Sequence, residues 1–393
     1  MKIKLYFIKI CNFFTQGVIL SDITLVMLCA GNSSRFGLKP KKQWLRIEHT
    51  PLWLFVTKKL SSYYSFSKII VVSSSNELSY MANFDESLTY VAGGNTRQQS
   101  MKNALEHVST PYVMISDVAR SCVPAQVIDN IIAQKGNADC IVPYVNVSDT
   151  VVYEHQTIDR EAVKLIQTPQ LSTTNTLKLA LSTAVEYTDD SSAIKAMGGK
   201  VTYVLGDCAS LKLTFEKDLQ EVACLKAPAN SYFTGTGFDI HPFEEGKPMV
   251  LGGVLIDVPY GFKAHSDGDV LIHSVIDALL GAAGAGDIGE FFPDTQEEYK
   301  NIDSTKLLNT IVEFIKNVGY EIVNVDVTII AQQPKINPYK MQIKTLLAEV
   351  LNIEKQFVNI KATTAEKLGF IGRKEGIAVQ SSATLNYYNW KAL

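Results

Sequence analysis

The most pointed chemistry in this chain of 393 residues lies beyond residue 230, where three of its six histidines stand among acidic residues. Asp239 and His241 are two apart in Phe238-Asp239-Ile240-His241, a run that reads as a strand, so their side chains fall on one face. The stretch Ala264-His265-Ser266-Asp267-Gly268-Asp269 then leads into a predicted helix carrying His273, with Asp277 one turn later. Two imidazoles and one carboxylate, with a position left for substrate, make a catalytic zinc arrangement. A histidine on an apolar helix face is also an ordinary core residue, so His273 alone decides nothing.

A second cluster sits near the start: Leu28-Cys29-Ala30-Gly31-Asn32-Ser33-Ser34-Arg35-Phe36-Gly37, followed by Lys39, Lys41 and Lys42. A glycine-bearing loop after a buried strand can turn backbone N–H groups toward phosphate oxygens. Arg35 adds a fork of donors and Lys42 a compact charge, which suits a polyphosphate. Gly31 and Gly37 could equally serve only as turns.

The elements that must position these groups follow from the hydrophobic pattern. Ile23–Cys29 is almost continuously apolar, as in a parallel strand buried on both faces. Similar runs recur at Lys68–Ser73 and Tyr112–Ser116, with helical stretches between, which predicts an open Rossmann-like α/β sheet. Ligands in such sheets bind beyond the carboxyl ends of the strands, where Gly31–Lys42 and Asp117–Arg120 would lie. Around Lys226-Ala227-Pro228-Ala229-Asn230-Ser231 the texture becomes linker-like, and a new strand starts at Phe233. A small-residue helix over Val270–Gly284, helices near Thr305–Val318 and Pro338–Leu351, and strands at Val323–Ala331, Val358–Ala362 and Gly376–Tyr387 predict an α+β domain. The boundaries are therefore 22–230 and 231–393.

Composition excludes several classes. Lys plus Arg number 37 against 40 Asp plus Glu, with no basic stripe, which argues against nucleic acid as a partner. Six cysteines without a C-x-x-C pair predict neither a disulfide scaffold nor a Cys-rich zinc site, and fit a reducing cytoplasm. Met1–Leu20 is apolar and basic, but Lys9 and Asn12 interrupt it and no small-residue cleavage pattern precedes Ser21. It reads as an extension rather than a signal peptide. No later run is long enough to span a bilayer, so no membrane association is expected.

Ala30-Gly31 with Arg35, then Lys42-Gln43-Trp44, resembles the signature of 2-C-methyl-D-erythritol 4-phosphate cytidylyltransferases. Further pieces come in family order: Gly93-Gly94 with Arg97 and Ser100, Asp117-Val118-Ala119-Arg120, Asp149-Thr150, Asp159-Arg160, Thr168-Pro169-Gln170, Thr188-Asp189-Asp190 and Leu211-Lys212-Leu213-Thr214. The resemblance implies that Arg35 and Lys42 stabilise charge building on the α-phosphate of CTP. Arg160 and Lys212 would hold methylerythritol phosphate in line, with Thr150 beside it. Asp117 would lie near Mg²⁺ and ribose, and Gly94 and Ser100 would meet cytosine. Ala30, Gly31, Arg120, Thr168 and Thr188 complete the matching substrate positions. Ser116, Ser121 and Lys41 replace a His and two Pro that are common in that family.

Gly237-Phe238-Asp239-Ile240-His241, His265-Ser266-Asp267-Gly268-Asp269 and Asp287-Ile288-Gly289 resemble 2-C-methyl-D-erythritol 2,4-cyclodiphosphate synthases. Phe292-Pro293-Asp294-Thr295, Ala331-Gln332-Gln333-Pro334-Lys335 and the run Lys361 to Arg373 continue the likeness. It implies that Asp239, His241 and His273 bind Zn²⁺, and that Glu366 helps place Mg²⁺. His265 and Thr364 would support the transition state, and Ser266 would meet a phosphate. Asp287, Gly289 and Asp294 would line the methylerythritol pocket. Ala331 to Lys335 and Thr363 to Glu366 would cradle CMP, with Phe370 and Arg373 nearby. Gln296 and Ala365 stand where Asp and Thr are frequent.

Together the resemblances imply an enzyme with two sites, acting on CTP and methylerythritol phosphate, and on a phosphorylated cytidine derivative of the product. They also imply a homotrimer through the C-terminal domain. A kinase acts between the two steps, and no P-loop Gly-x-x-x-x-Gly-Lys-Ser/Thr is present to supply it. Two alternatives remain at this point: one domain serving only as a scaffold, or a nucleotidyltransferase for another sugar phosphate.

Overall fold

The computed structural model describes residues 21–264, 266–293 and 302–392. The N-terminal extension, His265, Asp294 and Gln296 lie outside the described residues. The chain forms two compact units: residues up to Gly37 with Pro51–Leu225, and Leu38–Thr50 with Lys226–Leu393.

The first unit is built on strand β1 (Ile23–Leu28), buried at every position. It lies between β2 (Lys68–Ser73) and β4 (Tyr112–Asp117), parallel to both, and β3 (Thr89–Ala92) pairs parallel to β2. Strands β5 (Cys140–Asn146), β6 (Lys164–Ile166), β7 (Gln170–Thr173) and β8 (Val201–Leu205) extend the sheet to eight strands, in the order β6-β5-β7-β4-β1-β2-β3 with β8 on β5. Strand β7 runs antiparallel to β4 and β5, so the sheet is mixed. Helices α1 (Leu52–Tyr63), α2 (Arg97–Leu105), α3 (Thr174–Leu181) and α4 (Asp190–Ala196) pack on it. One face buries Val26, Ile70, Val113, Ile115 and Val142 against Met101 and Leu105 of α2, Leu177 of α3 and Ile194 of α4. Registers Leu28↔Asp117 and Leu28↔Val72 bring the ends of three parallel strands level. The loop after β1, the end of β4 and the Gly93-Gly94 turn after β3 therefore open at one edge of the sheet.

The second unit is an α+β fold around a five-stranded sheet. Its strands are β9 (Tyr232–Glu245), β10 (Tyr260–Phe262), β11 (Tyr320–Ile330), β12 (Val358–Thr363) and β13 (Gly376–Tyr387), in the order β10-β9-β13-β11-β12. Helices α5 (Val270–Ala283), α6 (Ser304–Asn317) and α7 (Lys340–Leu351) accompany it. Helix α5 lies directly on β9, because a Cβ at Gly237 would collide with the carbonyl oxygen of Ser274. Glycine is the residue type that permits that approach.

Two features differ from the sequence reading. The first is Leu38–Thr50, which packs with the second unit although it precedes most of the first. Arg46 is 1% exposed, its guanidinium over the rings of Tyr320 and Tyr387 (5.1 Å to each), and it donates to Val318 O. Trp390 Nε1 returns a hydrogen bond to Arg46 O. The linker-like residues join this arrangement, since Glu48 N donates to Ala227 O and Ala229 N to Glu48 O. Their backbone is paired rather than loose. The second is a single bridge within a chain expected to have no disulfide scaffold: Cys122 and Cys224 form a disulfide across 102 residues, with Cα atoms 5.8 Å apart. Spacing could not reveal it, because tertiary folding brings the loop after β4 beside the end of the first unit. No helix among the described residues is long and apolar enough to cross a membrane.

Two candidate active sites

In the first unit, ion pairs converge on Asp117, the last residue of β4. Its Oδ1 takes a hydrogen bond from Arg97 Nε (3.2 Å) and its Oδ2 one from Lys212 Nζ (2.6 Å). Arg97 Nη1 also reaches Oδ1 of the fully buried Asp190 at 3.0 Å. Thr168 Oγ1 accepts from Asp117 N at 3.2 Å. Burial alone would raise the Asp117 carboxyl, but the Arg97 and Lys212 charges outweigh it and hold the carboxyl at about 2. Burial dominates for Asp190, which rises to about 6 in spite of Arg97. Asp117 therefore caps no helix; it is a carboxylate kept ionised by cations at a strand end.

The glycine turn after β3 closes a second corner. A Cβ on Gly93 would lie 2.6 Å from the Cβ of Ala30 and 3.0 Å from Ser100 Oγ, so Ala30, Gly93 and Ser100 meet there. Ser100 is buried, accepts from Gly94 N at 3.1 Å and donates to Thr96 O. Arg120 is held by backbone: it donates to Ser210 O (2.7 Å) and Ile166 O (3.1 Å). Gly31 and Arg35 are exposed on the loop after β1, and Lys42 opens a short turn, Lys42–Trp44, grouped with the second unit. Thr150 and Thr188 are exposed. Arg160 donates to Ser148 O and sits beside Glu161, and makes no hydrogen bond to the Asp117 cluster among the described residues.

In the second unit, Asp239 and His241 share one face of β9, and α5 carries His273 above them. One carboxylate oxygen and two imidazole nitrogens lie within 4.8 Å of one another. Asp239 Oδ2 is 3.1 Å from His241 Nε2 and 3.3 Å from His273 Nδ1. The outer nitrogens are also engaged. His241 Nδ1 is 2.7 Å from Gly268 O, which can only accept, so that nitrogen bears the hydrogen and Nε2 is left facing Asp239. His273 Nε2 lies 3.1 Å from Ser304 Oγ and 3.3 Å from Ser266 Oγ. Outer hydrogen bonds of this kind orient metal-binding imidazoles, so the donor set fits a divalent cation. Burial would raise the Asp239 carboxyl, but His241 and His273, once protonated, donate to it and pull it well below the carboxylate range. Asp277, one turn from His273, is not in the group; its Oδ1 accepts from Ile288 N.

The remaining positions spread along the sheet. Asp287 caps the short helix Ile288–Phe291 through Glu290 N, with Gly289 exposed on it. Ala331 N donates to Thr363 O, so the loops after β11 and β12 leave the sheet side by side. Lys335, Thr363, Thr364 and Glu366 are exposed there, and Thr364 Oγ1 donates to Glu366 Oε1 at 2.7 Å. Arg373 pairs with Glu375, and Phe370 is part-exposed. The register runs Asp239↔Val379↔Ile329↔Ala362, so the loop after β11 begins two strands away from the metal-type triad and the loop after β12 three. At about 4.8 Å per strand these are roughly 10 and 14 Å.

The sequence reading gave no role to Arg97, Asp190 or Ser304. A signal for Arg97 was available, because a cation in the first turn of a helix opposes the helix dipole and needs another reason to be there.

Comparison with known proteins covers both units. A family model described as 2-C-methyl-D-erythritol 4-phosphate cytidylyltransferase matches residues 23–225, and one described as the YgbB family matches residues 232–386. The bifunctional enzyme IspD/IspF of Aliarcobacter butzleri is 67% identical over 370 residues, covering 94% of this chain and 99% of that protein. The enzyme of the same name from Sulfurovum sp. is 55% identical, with the same coverage. Among solved structures, the bifunctional IspDF from Campylobacter jejuni matches at a TM-score of 0.84 and 48% identity, over 94% of this chain and 100% of that one.

Proposed function

Because this chain belongs to the bifunctional IspD/IspF enzymes, which carry out two steps of the methylerythritol phosphate pathway, we propose how its own residues divide those steps. The first step transfers CMP from CTP to 2-C-methyl-D-erythritol 4-phosphate and releases diphosphate. The second cyclises 4-CDP-2-C-methyl-D-erythritol 2-phosphate to the 2,4-cyclodiphosphate and releases CMP. Both domains are present, so the two-enzyme reading stands over one in which a domain is only a scaffold.

For cytidylyl transfer, Arg35 and Lys42 stabilise the charge that grows on the α-phosphate, where fixed cations matter more than a base. The attacking phosphate monoester is already an anion, so no proton need be removed. Lys212 and Arg160 hold that phosphate, with Thr150 beside it. Gly94 and Ser100 receive cytosine at the closed corner with Ala30 and Gly31. Asp117 is the metal- and ribose-facing carboxylate, Mg²⁺ being the metal we assign. Thr168 fixes the end of β4, Arg120 ties the loop after it, and Thr188 lies on the substrate side.

For cyclisation, the observation that carries the reading is the convergence of Asp239, His241 and His273 within 4.8 Å. IspD/IspF enzymes are metal-dependent, and this oxygen-and-nitrogen donor set supports Zn²⁺. When bound there, the ion would polarise the β-phosphate as a Lewis acid. Ser266 meets a phosphate, while His265 and Thr364 support the transition state. Asp287, Gly289 and Asp294 line the methylerythritol pocket. Ala331 to Lys335 and Thr363 to Glu366 cradle CMP, where Glu366 would help hold a Mg²⁺, with Phe370 and Arg373 nearby. The separation of roughly 10 to 14 Å between the triad and the starts of the CMP loops within one chain supports a homotrimer in which neighbours complete each site. Phosphorylated metabolites as substrates support a cytoplasmic location. Product analysis decides the division: the purified chain with CTP and methylerythritol phosphate should release diphosphate, and with the phosphorylated cytidine substrate it should release CMP. Failure of either reaction removes the corresponding assignment.

A further inference from the structure

Arg97 opens α2 and Asp190 opens α4, so two helix N-termini meet at the end of β4. For Asp190 the place is favourable, since an anion suits a helix N-terminus. For Arg97 it is not, because the dipole there repels a cation. Helix formation gives no reason for an arginine, and the cap of α2 is supplied independently by Thr96, whose Oγ1 accepts from Gln99 N at 3.1 Å. A buried ion pair is also weak as a source of stability, since desolvation offsets most of the attraction. What the guanidinium does have is two anions at fixed distances, Asp117 Oδ1 at 3.2 Å and Asp190 Oδ1 at 3.0 Å.

Asp190 is held on both sides along the chain. The buried Gln170 on β7 donates to Asp189 Oδ2 (2.9 Å) and accepts from Ser191 N (3.1 Å), which locks the turn containing Asp190. Rigidity thus passes from the sheet through Gln170 and Asp190 to Arg97, and from Arg97 to one oxygen of Asp117. The other oxygen is held differently. Lys212 makes a single contact to Oδ2 and its side chain is 43% exposed, against 24% for Arg97. Of the two cations, Lys212 is the one that can swing away to a substrate phosphate while the carboxylate keeps its orientation.

We propose that Arg97, anchored by Asp190, is a positioning residue for cytidylyl transfer that fixes Asp117 and keeps its Oδ2 available to the incoming nucleotide and metal. The inference rests on the reading of Asp117 given above. The test is steady-state kinetics of the full chain carrying Arg97→Gln, Arg97→Lys, Asp190→Asn or Asp117→Asn, with near-ultraviolet circular dichroism and thermal melting of the same preparations as the control for folding of the first unit. Arg97→Gln should lower kcat for CTP-dependent transfer by about 10²-fold, the scale of a misplaced catalytic group. It should also raise the Mg²⁺ concentration needed for half-maximal rate and leave the KM for methylerythritol phosphate within about threefold. Arg97→Lys keeps the charge but reaches one carboxylate instead of two, so it should recover part of the loss. Asp190→Asn should show the same pattern at about tenfold, and it decides the question if the arginine variants do not fold. Parent-like kcat in folded Arg97→Gln, or a loss that disappears on assay at lower temperature, would overturn the proposal. If Asp117→Asn is impaired and Arg97→Gln is not, this inference alone fails. If Asp117→Asn itself turns over normally, the reading beneath it fails.

Discussion

The Lys212 ammonium and the Asp117 carboxylate meet at 2.6 Å although 95 residues separate them in the chain. With Arg97 on the other oxygen, this contact keeps Asp117 ionised down to about 2 against an ordinary 3.8. A carboxyl lowered in this way adds stability that is fully present above pH 3.8 and is lost as pH falls through about 2. Lys212→Met should therefore bring acid unfolding of the first unit to a higher pH. At neutral pH it should cost roughly 1 kcal/mol, discounted for the exposure of the lysine. Acid titration followed by near-ultraviolet circular dichroism measures this, and an unshifted midpoint would remove the stabilising role of the contact.

The loop after β1 carries the second prediction. Arg35→Ala and Lys42→Ala should each cut CTP-dependent turnover by about 10²-fold, the usual loss on removing a transition-state donor. Cyclase turnover should stay at the parent level in both. Near-normal cytidylyl transfer in both variants would strip the loop of its assigned part.

Metal content tests the triad directly. The parent should bind about one Zn²⁺ per chain, as three protein ligands suit, and His241→Ala much less. Elemental analysis after dialysis gives the answer. Full zinc in the variant would mean that these three side chains are not the ligands.

The trimer reading predicts complementation. Inactive His241→Ala and inactive Lys335→Ala chains, mixed under conditions that exchange subunits, should regain cyclase activity through hybrid sites. Proven exchange without any recovery would place each site within one chain.

Leu38–Thr50 gives the fifth prediction. A fragment starting at Ser231 lacks Arg46 and uncovers the faces of Tyr320 and Tyr387 and the indole N–H of Trp390. It should melt lower than the second unit of the intact chain, and Arg46→Ala in the full chain should destabilise that unit by about 2–3 kcal/mol. Equal melting of the fragment and the intact unit would show that the segment contributes nothing.

Much of this protein could be read from the sequence because its signals are local. Ile23–Leu28 had to be a buried strand, since no exposed element tolerates so continuous an apolar run. Asp239 and His241 had to share a face, since side chains alternate along a strand. The ordered motifs pointed to both reactions, and family matches cover the same residues. Tertiary structure decided what depends on distant segments meeting. His273 joins the triad because Gly237 lets α5 lie on β9. Arg97, Asp117, Asp190 and Lys212 gather because sheet order brings two helix starts to one strand end. Cys122 finds Cys224, and Leu38–Thr50 packs with a unit that resumes at Lys226. Periodicity and spacing describe what a residue's neighbours in sequence impose on it. Pairing across some hundred residues is set by how whole elements pack, and no local pattern encodes that.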